Sequence, residues 1–288
     1  MTDASRRILV LSDSLHELPQ ATAALDASGH AVTYHHALTP FAALPADLRQ
    51  ELERADAIVM GRVMQTDAAA LALAGNAQVI ALHTSGSDNV DLAAASERGI
   101  VVTNVKGVNA EQCAEFSIGL MLSVTRQIRT GDIAIRNGEW AARTQSSLDL
   151  FGATLGVVGL GLIGKAAVRR AAAFGMTILV HTRTPDPEFG REFNVEYVDL
   201  DTLLRRADVV SVYASLTPRT RGMIGERELR LMRRDAYFIN IARGELVDEA
   251  ALYRALDEKW IAGAGLDVFE TEPLYDSPFF ALDNVVLT

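Results

Sequence analysis

Gly159, Gly161 and Gly164 stand in G-x-G-x-x-G spacing. An apolar run from Leu155 to Val158 comes just before them, and an Ala-rich segment from Lys165 to Phe174 comes just after. In that setting each glycine has a separate task. Gly159 permits a tight turn, Gly161 lets backbone approach a pyrophosphate, and Gly164 lets helix and strand pack closely. The N-terminus of the following helix adds free N–H groups and the positive end of its dipole. The chemistry implied is dinucleotide binding.

The ribose end of this pattern is unusual. A second apolar strand, Thr177 to His181, is followed by Thr182-Arg183-Thr184. Thr182 stands where an acid, about 20 residues on, would hydrogen-bond the 2′-hydroxyl of NAD. A carboxylate there repels a 2′-phosphate, whereas a hydroxyl beside a guanidinium binds one. The expected cofactor is therefore NADP(H), with NAD still possible. The alternative reading makes Arg183 a solvated loop residue and lets Asp186 or a backbone group hold the ribose of NAD.

Three more segments fall where strands of the same sheet should end, and ligands of doubly wound sheets bind outside those ends. They are Val212 to Gly222, Ile239 to Asp248 and Gly265 to Leu274. Arg243 follows an apolar strand and precedes a glycine. It can clamp a substrate carboxylate and polarise a neighbouring carbonyl, or serve as a structural ion-pair residue. Glu272 lies in an acidic loop before Pro273. It can orient a basic proton donor and raise its pKa, or be a solvated loop acid.

The chain has 288 residues, enough for two domains, and 49% of them are hydrophobic. A net charge of −10 argues against general nucleic-acid binding and against an anionic membrane surface. No signal-peptide pattern or membrane-length apolar run is seen. The single cysteine, Cys113, reads as a small buried residue, and the expected compartment is the reducing cytoplasm. No metal site is indicated.

Strand and helix patterns alternate, which implies an α/β chain with parallel sheets. Strands are expected at Ile8–Ser12, Ala31–His35, Ala57–Met60, Val79–Leu82 and Ile100–Thr103, with helices such as Leu18–Ala27 and Ala68–Leu73 between them. These make a smaller flavodoxin-like substrate domain, residues 1–101. Asn109 to Arg129 reads as one long helix, capped by Asn109 with Gln112 reaching back. Its stripe of Phe116, Leu120, Met121 and Val124 reads as core or subunit interface. Six strands, near 154–159, 177–181, 208–213, 236–241, 262–267 and 284–287, then complete a Rossmann doubly wound domain, residues 102–288.

Several motifs occur together and in order: Gly86-Ser-Asp-Asn-Val-Asp91, Asn109 with Ala114-Glu115, the glycine motif, Asn240-Ile-Ala-Arg243-Gly244, and Leu266-Asp267-Val-Phe with Glu272-Pro273. In these the chain resembles the D-isomer-specific 2-hydroxyacid dehydrogenases, the family of phosphoglycerate dehydrogenase and of glyoxylate and hydroxypyruvate reductases. The resemblance runs from about Ala57 to Thr288. It implies an oxidoreductase that interconverts a small 2-keto acid, glyoxylate or hydroxypyruvate, with the D-2-hydroxy acid by hydride transfer. Arg243 would bind the carboxylate and keto oxygen, and Glu272 would support the catalytic acid. Backbone N–H groups at Ser85 and Gly86 would hold the carboxylate. Leu162 and Ile163 would meet the pyrophosphate. Ala214, Ile241 and Ala242 would line the nicotinamide-ribose side, and Asp267 would bond the nicotinamide amide. Closure of a cleft between domains and a homodimer through the cofactor domain are also implied.

Two features depart from the family. Ser215 replaces a frequent Pro. The family's proton-donating His follows a Thr-Pro, whereas this sequence ends at Thr288, and none of its six histidines comes after His181. The expectation is that the His, with the segment that completes the first domain, lies just beyond Thr288. The alternative is a non-catalytic dinucleotide-binding or sensing protein on the same fold. His83 is a candidate substitute acid or, on the plainer reading, a satisfied histidine. Substrate preference is expected from Met60–Met64 and His83–Ser87, with Met60 and Val63 forming an uncharged pocket wall and Arg62 pointing in an unknown direction.

Overall fold

The computed structural model describes residues 5–12, 15, 18–36, 44–61, 64–140 and 147–288. The chain divides into two compact units, Met1–Val108 and Asn109–Thr288.

The first unit is built on five parallel strands: β1 (Arg7–Leu11), β2 (Ala31–His35), β3 (Ala57–Met60), β4 (Val79–Leu82) and β5 (Val101–Thr103). They lie in the order β2-β1-β3-β4-β5. The connecting helices are α1 (Pro19–Asp26), α2 (Ala46–Arg54), α3 (Ala68–Leu73) and α4 (Leu92–Glu97). Leu9, Leu11, Ile58, Met60, Ile80 and Leu82 alternate into one core. Asp67 and Asp91 start α3 and α4 as N-caps, their carboxylates accepting from Ala70 N and Ala94 N at 2.8 and 3.0 Å. A domain boundary at 101/102 would cut through β5, whose Val101, Val102 and Thr103 pair with Val79, Ile80 and Ala81. The division falls after Val108 instead.

The second unit begins with α5 (Ala110–Thr125) and α6 (Ile128–Arg136). The expected single helix is therefore two. Gln127 adopts a left-handed φ of 53°, which an α-helix cannot continue through. Asn109 occupies the N-cap of α5 at φ −103° and ψ 17°, without the expected side-chain cap bond.

Seven parallel strands follow: β6 (Thr154–Val158), β7 (Thr177–His181), β8 (Val195–Tyr197), β9 (Val209–Val212), β10 (Tyr237–Asn240), β11 (Gly263–Leu266) and β12 (Val285–Leu287). Between them run α7 (Leu162–Ala173), α8 (Pro187–Glu192), α9 (Leu200–Arg206), α10 (Glu226–Leu231) and α11 (Glu249–Asp257). The sheet order is β12-β11-β10-β9-β6-β7-β8, the doubly wound arrangement read from the sequence, with β8 as an added edge strand. The run Val195-Glu196-Tyr197 is too short to stand out as an apolar strand; it pairs with Ile178 to Val180 of β7.

Strands β9, β10 and β11 are buried along their whole length, as expected for a parallel sheet covered on both faces. Small residues let the helices come close. A Cβ on Gly265 of β11 would meet Leu120 of α5 at 2.6 Å, and one on Gly156 of β6 would meet Leu203 of α9 at 2.5 Å. Leu120, Met121 and Val124 are thus core, whereas Phe116 of the same stripe is exposed. No helix among the described residues is long and apolar enough to cross a membrane.

Leu203 is fully buried against Gly156. Leu203→Ala is expected to lower the stability of this unit by about 3 kcal/mol, read as a lower denaturation midpoint at unchanged m-value. An unchanged midpoint would mean that α9 is not held by this contact.

Candidate functional site

The second sheet reverses direction between β6 and β9. The chain leaves β6 toward β7 and β8, then returns to build on the other side. The crevice outside the carboxyl ends of such a pair is the usual ligand position. The glycine motif follows β6, and Tyr213-Ala214-Ser215 follows β9, so both flank the reversal.

The backbone here is close-packed by necessity. Gly159 has φ +98°, and a Cβ on it would meet Ala214 N at 2.7 Å and Ala214 Cα at 2.8 Å. A Cβ on Gly164 would strike the Gly159 carbonyl. Gly161 is different, because a Cβ added there would meet nothing within 4 Å. It is the N-cap of α7 in extended conformation, followed by Leu162 and Ile163. Leu162 is exposed and Ile163 half-buried. An open, side-chain-free approach to the N-terminus of a 12-residue helix is the shape and polarity that a pyrophosphate needs. The residues present therefore fit a dinucleotide.

At the end of β7, Thr182 is half-buried and Arg183 exposed. Arg183 makes no hydrogen bond or ion pair with any described residue. Asp186, the acid that the alternative reading puts on the ribose, is already engaged. Its Oδ2 accepts from Lys165 Nζ at 2.5 Å, and its Oδ1 caps α8 through Phe189 N at 3.1 Å. The lysine's hydrogen bond, above all, holds this carboxyl below the ordinary aspartate range.

Arg243 follows β10 as the N-cap of a short 3₁₀ turn, Gly244–Leu246. The turn is held by Asn240, which is buried at the end of β10. Its Nδ2 donates to Arg243 O at 2.9 Å and its Oδ1 accepts from Ala242 N at 3.0 Å. Ile241 and Ala242 are fixed by the same pair of bonds. The Arg243 guanidinium itself donates to Ala242 O at 2.7 Å. A buried amide thus fixes the backbone that carries a half-buried cation at a strand end.

The loop after β11 lies against this turn. Asp267 N donates to Asn240 O at 3.0 Å, and Thr288 Oγ1 donates to Asp267 Oδ1 at 3.1 Å. Glu272 is exposed but folded back, its Oε1 accepting from Phe269 N at 3.0 Å. Glu249, the first residue of α11, accepts from Glu270 N at 2.6 Å. Burial raises the pKa of Glu249, and the neighbouring Glu270, Glu272 and Glu245 add to the rise, against the lowering effect of that backbone bond.

Cys113 is only partly buried, not the enclosed small residue that the sequence suggests. Burial raises its thiol pKa, the charge of Asp267 adds to the rise and that of Arg243 opposes it. Cys113, near the start of α5, thus lies within the electrostatic reach of Arg243 and Asp267. The motif Ala114-Glu115 is the signal beside it in the sequence.

Ser85 and Gly86 belong to the first unit and follow β4. Ser85 O accepts from Asn104 Nδ2 at 2.7 Å, and Gly86 O accepts from Thr84 Oγ1 at 3.0 Å. His83 is satisfied within that unit, with Nε2 at 3.1 Å from Ser12 Oγ and its ring against Gly61. Met60, expected to form a pocket wall with Val63, is instead buried in the core of the first unit at 0% exposure, as is Met64 at 1%. Arg62 and Val63 lie outside the described residues.

Comparison with known proteins places this geometry. The family model "D-isomer specific 2-hydroxyacid dehydrogenase, NAD binding domain" matches residues 118–288. A glyoxylate reductase of Thermococcus litoralis is 43% identical over 247 residues, which are 83% of this chain and 75% of that protein. The structure of the TT0316 protein from Thermus thermophilus superposes with a TM-score of 0.87 at 40% identity, covering 98% of this chain and 88% of that one. A glyoxylate reductase structure from Paecilomyes thermophila gives a TM-score of 0.86 at 31% identity, covering 99% and 88%.

Gly244 lets the two loops meet, since a Cβ on it would run into the Phe269 carbonyl carbon and oxygen and Glu270 N. Gly244→Ala is expected to cost about 3 kcal/mol and to displace Asp267 and Glu272. The check is a melting curve together with a crystal structure of the variant. An unshifted 267–272 loop at wild-type stability would contradict this packing.

Proposed function

Because the chain belongs to the D-isomer specific 2-hydroxyacid dehydrogenase family, we propose that it reduces a small 2-keto acid to the D-2-hydroxy acid with NADPH. Glyoxylate and hydroxypyruvate are the proposed substrates. The observation that carries the reading is Arg243, a cation at a strand end whose backbone is held by buried Asn240, in a turn packed through Gly244 against the loop that bears Asp267 and Glu272.

In this reading Arg243 pairs with the substrate carboxylate and donates to the keto oxygen, where negative charge grows as the carbonyl is reduced. The nicotinamide supplies the hydride when bound. Asp267 would accept from the carboxamide of that ring. Glu272 orients the proton donor and raises its pKa. Ser85 and Gly86 hold the carboxylate through backbone N–H groups. Gly159, Gly161, Leu162, Ile163 and Gly164 receive the pyrophosphate, while Ala214, Ile241 and Ala242 line the nicotinamide ribose. Thr182 and Arg183 take the 2′-phosphate. This last assignment is supported by the exposed, unpaired state of Arg183 among the described residues and by the engagement of Asp186 with Lys165. A homodimer through the second unit is part of the same reading, supported by the exposed Phe116, Ile128, Ile133 and Ile135 on α5 and α6.

The first test is oxidation of NADPH and NADH with glyoxylate and with hydroxypyruvate. The reading expects turnover favouring NADPH, with Arg243→Gln lowering kcat/KM about 100- to 1000-fold. Dinucleotide binding without turnover of any 2-keto acid would overturn it. For the cofactor, Arg183→Ala is expected to weaken NADPH binding at least tenfold while leaving NADH binding within about twofold, consistent with loss of one charge-assisted phosphate contact. Equal losses for both would sink the 2′-phosphate assignment.

A further inference from the structure

We infer that Lys165 is a positioning residue for cofactor choice, pairing with Asp186 so that this carboxylate does not repel a 2′-phosphate held at Thr182 and Arg183. The inference rests on the NADP(H) reading above. It assigns a task to a side chain inside the glycine-motif helix that the pyrophosphate contacts do not use.

The loop from Thr182 to Asp186 carries one cation and one acid. Asp186 is three residues after Arg183, so the two backbones are separated by at most about 10 Å. With no partner, a carboxylate at that range would offset most of what the guanidinium contributes to binding a dianion. The loop end is fixed from several sides. Lys165 Nζ donates to Asp186 Oδ2 at 2.5 Å, Tyr197 Oη donates to Asp186 O at 2.6 Å, and Asp186 N donates to Tyr197 Oη at 3.2 Å. Lys165 and Asp186 keep only 29% and 36% of their side chains exposed, so neither is a freely solvated charge. Lys165 also lies 5.3 Å from the centre of the Phe189 ring, with Arg169 on the same ring at 5.7 Å. The lysine is thereby held by the first turn of α8 as well as by the acid. With Asp186 neutralised, Arg183 is left as the dominant charge of the loop.

The test is a double-mutant cycle read by calorimetric titration of NADPH and NADH into the purified protein, without substrate. Methionine keeps the apolar stem of Lys165 on Phe189, and asparagine keeps the N-cap of α8. Lys165→Met is expected to lower the NADPH-to-NADH affinity ratio about fourfold in 10 mM salt, from Coulomb's law for a carboxylate and a dianion about 10 Å apart in water. The loss should shrink below about twofold in 0.5 M salt as screening sets in. Asp186→Asn in that background should restore the ratio, Asp186→Asn alone should raise it, and Lys165→Arg should keep it. An unchanged ratio in Lys165→Met, while Arg183→Ala lowers it, overturns this inference and leaves the NADP(H) reading standing. An unchanged ratio in both variants overturns that reading itself. A loss that Asp186→Asn does not restore would mean that Lys165 touches the phosphate directly, which also contradicts the inference. Equal weakening of both cofactors would reduce Lys165 to a structural residue.

Discussion

Everything in the second unit depends on how closely three stretches of backbone meet at the reversal of its sheet. The turn after β6 must pass Ala214 at a distance that admits no Cβ, and it does so with Gly159 in the left-handed region. Gly164 then lets α7 start against the Gly159 carbonyl. These two contacts aim the helix N-terminus out of the sheet, and the open side of Gly161 leaves room for an anion there. A larger side chain at either position would move the helix, and with it Lys165 and the N-terminus proposed to receive the pyrophosphate.

The same logic of missing side chains recurs on the other side of the sheet. Gly263 and Gly265 bring α5 down onto β11, and Gly244 lets the 267–272 loop touch the Arg243 turn. The site is thus assembled from strand ends whose spacing is set by glycine, then locked by one buried amide. Asn240 satisfies its own polar group and two backbone groups at once, so it is stable in the interior where an unpaired amide would be costly. In the proposed function Arg243 depends on that backbone lock. A guanidinium can polarise a carbonyl efficiently only if its direction is fixed before substrate arrives.

Much of this was legible in the sequence. The glycine spacing, the all-apolar strands and the alternation of strands with helices led to the doubly wound order that is observed. The failures have physical reasons. The strand β8 is three residues long with a glutamate at its centre, so periodicity could not reveal it; it exists because β7 offers it an edge. The break at Gln127 is a backbone conformation with no glycine to announce it. Met60 is not the pocket-wall residue expected, because strand alternation turns it into the core of its own unit. The strand-end positions of Arg243 and Glu272 could be read from the sequence. The engagement of Asp186 by Lys165 could not, because the two residues are brought together only by the packing of α7 against the β7–α8 loop.

In the proposed function a dinucleotide lies across the β6–β9 reversal, with its charged parts at the backbone and side-chain groups named above. Hydrogen–deuterium exchange with and without NADPH, resolved to short peptides, tests it most directly. The account predicts slower exchange confined within the second unit to 159–165, 182–184, 213–215 and 241–243. Protection absent from 159–165, or concentrated away from these strand ends, would contradict it.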